Sequence, residues 1–291
     1  MLKSMTGFGR AEQTVNDKTF LVEIKALNGK QLEMNLKIPP LLKSYEFDVR
    51  NMLQENLIRG TIDCLITIKQ NGSGKPVIIN TDLIKAYYKQ IDTLANELNI
   101  DTNSVLSALL RLPEVVTPSN EILNEDDWKE LKKVLEAALK ELDHHRTQEG
   151  KSIEKELLIR MKNISSQEEE ILTLEPRRKM RMKDELVKLL EENVGKENYD
   201  PNRLEQELIY YIEKIDITEE QVRLKNHCEY FKAILDEKDE AKGKKLSFVL
   251  QEVGREINTT GSKAYDADIQ KCVVLMKDEL EKSKEQILNV L

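Results

Sequence analysis

The chain has 291 residues, of which 40% are hydrophobic, 34% charged and only 5% aromatic, with 11 Gly and 7 Pro. That balance suits amphipathic helices, whose large surface needs charge to cover it, and it excludes collagen, a disordered chain and a turn-dense β-sandwich. The 45 basic and 53 acidic residues leave a net charge of −8, which does not by itself invite a nucleic acid, because that binding rests on cations displacing counterions from phosphates.

The charge is unevenly spread. Residues 1–60 hold nine basic residues (Lys3, Arg10, Lys18, Lys25, Lys30, Lys37, Lys43, Arg50, Arg59) and seven acidic ones, so this segment is +2 and the remainder −10. Five of the seven positions 177–183 are basic (Arg177, Arg178, Lys179, Arg181, Lys183), a run that reads first as a solvated helix face. No apolar run approaches the roughly 20 residues of a membrane span, and the N-terminal residues lack the apolar stretch of a signal peptide. Cys64, Cys228 and Cys272 are odd in number, far apart and without metal-ligand spacing. A reduced compartment, the cytoplasm, is the expectation.

In chain order, Asn16-Asp17 supplies a turn before Phe20–Leu27, which has the alternation of a strand. Leu32–Ile38 alternates at period 2 and ends at Pro39-Pro40. Leu41, Leu42, Tyr45, Val49, Leu53 and Leu57 then fall at helical spacing, Gly60 is a stop, and residues 61–68 resume strand chemistry. Residues 71–74 read as a turn leading to a short strand over 76–79. From residue 80 the period is helical. Leu131, Val134, Leu135, Ala138, Leu139 and Leu142 form one apolar stripe, continued by Ile153, Leu157, Met161 and Ile164. A helix over 127–172 would be about 70 Å long, so an arm is expected either to fold back near Pro176 onto Leu186, Leu189 and Leu190 or to pair with another subunit. No proline follows Pro201, and the last stretch reads as almost continuously helical. The fold class is therefore α+β: a small N-terminal mixed domain with a mainly antiparallel sheet (1–124), a long helical arm or hairpin (125–200) and an all-helical C-terminal region (201–291), predominantly α overall.

The polar chemistry concentrates near the end. Thr218-Glu-Glu-Gln221 has the form of a capping box. On the helix it starts, Glu219, Glu220, Arg223 and His227 lie within roughly 100° of one another. Two carboxylates and an imidazole on one face can hold a divalent cation or move protons. The plainer account is structural: first-turn acids complement the helix dipole, Glu219–Arg223 is an i,i+4 pair, and His227 sits in a core. Downstream, Leu246, Leu250, Val253 and Ile257 make an apolar stripe, with Glu252, Arg255, Glu256 and Thr259 on the opposite face. Gly261 is expected to end or bend this helix, and Ser262 or Asp266 to cap the next. The small polar run Asn258–Lys263 could then form a loop that offers hydroxyls, amides and one cation to a phosphate. His144-His145 point about 100° apart on a helix and make no metal pair. No Walker A loop, G-x-G-x-x-G, C-x-x-C or G-x-S-x-G occurs.

Ser4-Met-Thr-Gly-Phe-Gly-Arg10, Arg59-Gly60, Arg146-x-x-Glu149-Gly150, Arg203-Leu-x-x-Glu207, Asp216-Ile-Thr-Glu-Glu220-x-x-Arg223-Leu-x-x-His227 and Gln251-Glu252-x-x-Arg255-Glu256-Ile-Asn-Thr259-x-Gly261-Ser-Lys263 together resemble the YicC/YloC family of bacterial endoribonucleases. The likeness runs in order from residue 4 to near 285. It departs at Asn28-Gly29-Lys30, where the family often has Asn-His-Arg, and at Gly254, where the family usually has Asn. The resemblance implies a homo-oligomer, a hexameric ring or cage, that encloses single-stranded RNA and cuts it with a divalent metal, Mg or Mn. On that footing Glu219, Glu220, His227, Glu252 and Glu256 are expected to hold the metal, and Glu220, His227, Glu252, Glu256, Arg223 and Arg255 to serve catalysis. Arg10, Lys30, Arg50, Arg59 and Lys263 are expected to bind RNA, as contacts to its backbone with weak sequence preference. With few aromatics, base stacking is expected to be limited. The rival readings are a non-catalytic RNA-binding adaptor and a structural coiled-coil oligomer; neither invokes a membrane.

Overall fold

The computed structural model describes residues 1–15, 17–70, 78–98, 101, 105–117, 123–195, 200–238 and 241–291. Four strands, β1 (Gly7–Val15), β2 (Lys18–Leu27), β3 (Leu32–Lys37) and β4 (Gly60–Gln70), form a sheet in the order β1-β2-β4-β3. The β1–β2 and β2–β4 pairs are antiparallel, and β3 runs parallel to β4 with Leu36 opposite Cys64. Period-2 alternation decides which face is covered: Phe20, Val22, Ile24 and Ala26 of β2 and Ile62, Cys64 and Ile66 of β4 are buried. A one-residue slip would turn all of them to solvent, so the register is tightly specified.

The segment expected as one helix over 41–58 divides into a 3₁₀ turn, Pro40–Tyr45, and α1 (Glu46–Asn56). A small second sheet pairs β5 (Ile78–Ile79) with β6 (Val116–Thr117), between which lie α2 (Thr81–Leu98) and α3 (Val105–Leu109). The turn expected over 71–74, part of the strand over 76–79 and Asn16 fall outside the described residues.

Everything else hangs on α4 (Glu125–Val194), a single helix of 70 residues, about 105 Å long. The Asn124 side chain caps it by accepting from Asp127 N at 2.7 Å. Its first third buries Leu131, Val134, Leu135, Ala138 and Leu142 against β1, β2 and α1. Farther along, the same stripe buries Ile153, Leu157, Met161, Ile164 and Ile171 in a second core. That core is completed by α6 (Thr218–Asp236), α7 (Gly243–Ala264) and α8 (Ala267–Ile287); α5 (Pro201–Ile215) precedes them. One helix thus serves two cores in turn. Among the described residues, no helix is long and apolar enough to cross a membrane.

The expected turn-back at Pro176 does not occur. α4 runs straight through that proline, and Leu186, Leu189 and Leu190 lie on the same helix beyond it. Proline inside a helix removes one backbone donor and costs roughly 3 kcal/mol. Here it sits between Glu175 and Arg178, whose side chains pair through two hydrogen bonds at 2.7 and 2.8 Å, and the Arg178 guanidinium ties this stretch of the helix to the carbonyls of Ile215, Lys263 and Ala264.

Residues 288–291 join the two cores. Ser4 and Val290 form a β-bridge, Asn28 Nδ2 donates to the Leu288 carbonyl at 2.7 Å, and Gly243 N donates to the Leu291 carbonyl at 2.7 Å.

Candidate functional site

α6 and α7 pack against each other as neighbours, with buried Leu224, Cys228, Phe231, Leu246, Leu250, Val253 and Ile257 beneath them. They run antiparallel, because Glu220 near the start of α6 meets Lys263 near the end of α7 at 2.8 Å. Along the outer seam the polar residues interlock. Arg223 contacts Glu219 at 3.0 Å, Glu220 at 3.6 Å and Glu256 at 3.2 Å. Lys263 also donates to the Asp216 carbonyl at 3.1 Å. Two cations and three carboxylates therefore form one connected group across the helix pair.

Burial divides these acids into two kinds. Glu220 is 2% exposed and Glu256 4%, each facing a cation, whereas Glu219 stands in solvent. One oxygen of Glu220, Oε2, is buried with no hydrogen-bond partner, and so are Thr260 Oγ1 and Gln221 Nε2 on the same two helices. The angular reading placed Glu256 on the exposed face with Glu252. In the structure Glu256 turns toward α6, about 40° from Glu252, and is buried. Glu252 stays half-buried and contacts Arg255 at 3.4 Å, and Arg255 is exposed. His227 is half-buried, one turn beyond Arg223.

The helix ends differ from expectation in two places. The hydroxyl of Thr218 does not cap α6; Thr218 is its first residue, and Asp216 accepts from the Thr218 amide and hydroxyl at 3.4 and 2.8 Å. Burial alone would raise the Asp216 carboxyl, but hydrogen bonds from Lys179 and Thr218 outweigh it and hold the group below the usual carboxylate range. Residues 258–263 are not a phosphate-cradling loop. They are the last turns of α7, which passes through Gly261 and ends at Tyr265 in the left-handed conformation, φ 43°. Gly261 serves packing instead: a Cβ there would lie 3.0 Å from Val273 Cγ1 of α8. Asp266 does cap α8, accepting from the amides of Asp268 and Ile269.

The basic run 177–183 is only in part a solvated face: Arg177, Arg181 and Lys183 are exposed, but Arg178 is not. Arg178 is 1% exposed and donates to the carbonyls of Ile215, Lys263 and Ala264 at 2.9, 3.3 and 2.7 Å. Lys179 pairs with Asp216 at 2.9 Å and Arg181 with Asp266 at 2.6 Å. These three residues anchor one end of the α6–α7 pair, where α6 starts and α7 ends, to α4. A basic run reads as solvated because sequence does not show that two inter-helix loops meet it.

The five residues expected to hold a metal are not gathered into a ligand set. Among the described residues, no group of three His, Cys, Asp or Glu side chains could hold an ion. Glu220 and Glu256 already face Lys263 and Arg223, so a cation placed between them would meet two positive charges. Within one chain this donor set does not fit a resident Mg or Mn.

The N-terminal cations are likewise dispersed. Arg10 is on β1 beside Glu12 and Glu23 at 3.2 and 3.7 Å, Arg50 pairs with Glu46 within α1 at 2.9 Å, and Lys30 is exposed between β2 and β3. Arg59 donates to the Val290 carbonyl at 2.7 Å beside Gly243, which opens α7. Thirteen residues of helix, about 20 Å, separate that point from Glu256. Sequence reasoning passed over Tyr230 and Phe248, two aromatic side chains that stand exposed on α6 and α7. Their helical offset from Arg223 and Arg255 was the available signal.

Comparison with known proteins agrees with the resemblance. The family description "Endoribonuclease YicC-like, N-terminal region" matches residues 2–155, and "Endoribonuclease YicC-like, C-terminal" matches 171–291. A protein of Clostridioides difficile (strain 630) named "Probable endoribonuclease YicC" is 33% identical over 299 residues, covering 100% of both chains. One of the same name from Haemophilus influenzae is 29% identical over 294 residues, again covering 100% of both.

Proposed function

This chain belongs to the YicC-like endoribonuclease family, and from that premise we propose that it cuts single-stranded RNA at the seam between α6 and α7. The observation that carries the proposal is the Arg223 cross-link. One guanidinium, half in solvent, is held by Glu219, Glu220 and Glu256 on both helices, the arrangement needed to present a fixed cation to a phosphate. Lys263, held by Glu220 and the Asp216 carbonyl, is a second fixed cation, and exposed Arg255 is a third.

Burial supports a division of roles. Glu220 and Glu256 lie too deep to touch RNA and act as positioning residues for the cations. Glu252 and His227 reach solvent and take the proton transfers between the attacking and leaving oxygens. Arg10, Lys30 and Arg50 contribute backbone contacts from the N-terminal sheet and α1.

We further propose that the working form is a homo-oligomeric cage, a hexamer, in the cytoplasm. It accommodates RNA despite a net charge of −8, because cations gathered on an inner surface are compatible with an acidic exterior. Three free buried cysteines accord with a reducing compartment. No step is derived through Mg or Mn, since the acids of one chain are matched to cations. If an ion takes part, its ligands come from RNA phosphates, water or another subunit.

The test is incubation of purified protein with end-labelled single-stranded RNA under Mn²⁺, Mg²⁺ and EDTA, beside Glu252→Ala. Internal cuts that vanish in the variant establish the nuclease and its site. Cuts that persist in EDTA retain the site and remove the metal. RNA bound but uncut in every condition makes the protein an adaptor and overturns the proposal.

A further inference from the structure

Several helices of this chain carry exposed aromatic rings, Phe47, Tyr88, Tyr210 and Tyr211 among them, but two lie on the helix pair that forms the charged seam. Tyr230 on α6 is 48% exposed and Phe248 on α7 is 55% exposed. Neither helps the core beneath, which is completed by Phe231, Leu246 and Leu250. Each ring has a lysine ammonium at the outer limit of cation–π contact: Lys245 Nζ lies 5.9 Å from the Tyr230 centroid and Lys244 Nζ 6.0 Å from that of Phe248.

Their positions relate them to the cleavage seam. Lys244, Phe248, Glu252, Arg255 and Thr259 recur at i, i+4, i+8, i+11 and i+15 and so share one stripe of α7. Tyr230 follows Arg223 by seven residues on α6, as Arg255 follows Phe248 on α7, in each case about 10.5 Å along the axis. The helices are antiparallel, so both rings lie on the same side of the charged group. The Lys245–Tyr230 contact and the Arg223–Glu256 bond join α6 to the α7 residues that flank this stripe.

We propose that Phe248 and Tyr230 form a stacking platform for unpaired bases of the RNA, with Lys244 and Lys245 meeting the phosphates of the stacked nucleotides. The proposal rests on the RNA-cleavage reading above and adds to it what selects single strands. A ring can stack only on a base whose face is open, so a duplex passes the platform unread. It also replaces the expectation of limited stacking: a chain poor in aromatics has placed two of them beside the site. The ligand is RNA rather than a protein partner because the rings are flanked by Lys244, Lys245 and Arg255; Lys245 is held by Glu237 and Arg255 by Glu252, which leaves Lys244 as the flanking cation best placed to complement phosphate.

The experiment measures binding and cutting separately. A short 2′-O-methyl oligonucleotide carrying 2-aminopurine reports stacking by fluorescence quenching, while unmodified RNA reports cleavage. We expect Phe248→Ala to lose the quenching and to weaken binding by about 5- to 150-fold, the range for one lost base–aromatic stack. Phe248→Trp and Tyr230→Phe retain both, since the ring and not the hydroxyl is needed. The salt dependence of binding stays unchanged in Phe248→Ala, whereas Arg255→Ala lowers its slope by about 1. Parental affinity and quenching in Phe248→Ala overturn the platform. So does a change of assembly size in light scattering, which makes this face a contact between subunits. If the parent protein quenches and binds but never cuts, the platform stands and the nuclease reading falls. If it cuts while Phe248→Ala binds normally, the reverse holds.

Discussion

Arg178 donates to the Ala264 carbonyl at 2.7 Å, so a residue in the last third of the 70-residue helix closes the end of the helix that carries Lys263. The same guanidinium reaches the Ile215 carbonyl, one residue before Asp216, whose own carbonyl holds Lys263 Nζ. The cation at the seam is thus fixed from two sides by one buried arginine. An isolated buried charge is costly, and Glu175 supplies the counter-ion through a fork of two bonds.

Breaking this clamp should cost more than any surface change. Arg178→Met leaves buried Glu175 with only the longer 3.5 Å contact to Lys179 and takes a donor from three carbonyls, so a loss of about 3 kcal/mol is expected in urea unfolding. Arg178→Lys should recover little, because a single ammonium cannot serve Glu175, Ile215 and Ala264 at once. If Arg178→Lys unfolds at the parental urea concentration, the clamp is unimportant to the fold.

Much of this architecture was legible in the sequence, and the reasons are specific. Period-2 alternation exposed β2, β3 and β4, and the stripe from Leu131 to Ile164 exposed α4, because one-sided burial writes its period into the chain. β1 was not assigned: Gly7, Gly9 and a polar second half carry no strand signal, yet Gly9 is there because β1 lies against α4. The continuity of α4 past Pro176 depends on the Glu175–Arg178 pair and on loops distant in sequence, which no local pattern contains. At the candidate site, the motifs fall on α6 and α7, the two helices that form the charged seam. They did not tell Glu220 and Glu256, which are buried, from Glu219 and Glu252, which are not: about 40° separates Glu252 from Glu256, and for the adjacent Glu219 and Glu220 the direction of the partner helix decides.

The close approach of β1 to α4 sets a second expectation. A Cβ at Gly9 would lie 2.1 Å from the Ala138 carbonyl oxygen and 2.7 Å from Leu142 N, both backbone atoms that cannot swing aside. Gly9→Ala should therefore push the sheet off the helix and destabilise the N-terminal core by about 1–3 kcal/mol. Ala11→Gly, two residues along the same strand, should cost no more than about 1 kcal/mol. Equal losses from the two, measured by urea unfolding, would show that β1 does not need the close contact.

Glu168 offers a test in pH. Burial lifts its carboxyl above the ordinary glutamate range, against a smaller opposing pull from Lys225. An acid whose folded pKa is raised contributes stability that is complete below its unfolded value and is lost as pH rises through its folded one. Glu168→Gln removes that loss. The variant should match the parent near pH 4 and exceed it in urea midpoint at pH 8, with the difference growing between. A parent more stable than the variant at pH 8 would mean that the charged form is favoured where it sits.

The cysteines should be silent in the native protein. Burial pushes the Cys64 thiol up to about 12 and Cys228 to about 11, and it raises Cys272 as well. Thiolate is the reactive form, so at pH 8 none of the three should react with a disulfide reagent on the timescale of an exposed thiol. All three should react once the protein is unfolded in guanidinium. A fast-reacting thiol in the folded state would place one of them at an opening of the core.

The two kinds of acid at the seam can be separated by one pair of variants. Glu252 is half-exposed and touches only Arg255, so Glu252→Gln should leave stability within about 0.5 kcal/mol of the parent. If it carries a proton in the reaction, the cutting rate falls by about 10²–10⁴-fold while RNA affinity holds, because the lost contact exists only as charge moves. Glu220 is different. Glu220→Ala strips Lys263 of its carboxylate and Arg223 of one of three, in a buried setting, so stability should fall by about 1–3 kcal/mol. RNA affinity should fall with it, since the cations lose their fixed positions. Glu220→Gln, which keeps an oxygen for Lys263, should restore part of the affinity, a rescue that loss of folding alone would not give to binding at saturating stability. Should Glu220→Ala instead remain stable and bind RNA normally while failing to cut, the buried acid itself would be the proton carrier, and the seam would have to open to admit the RNA.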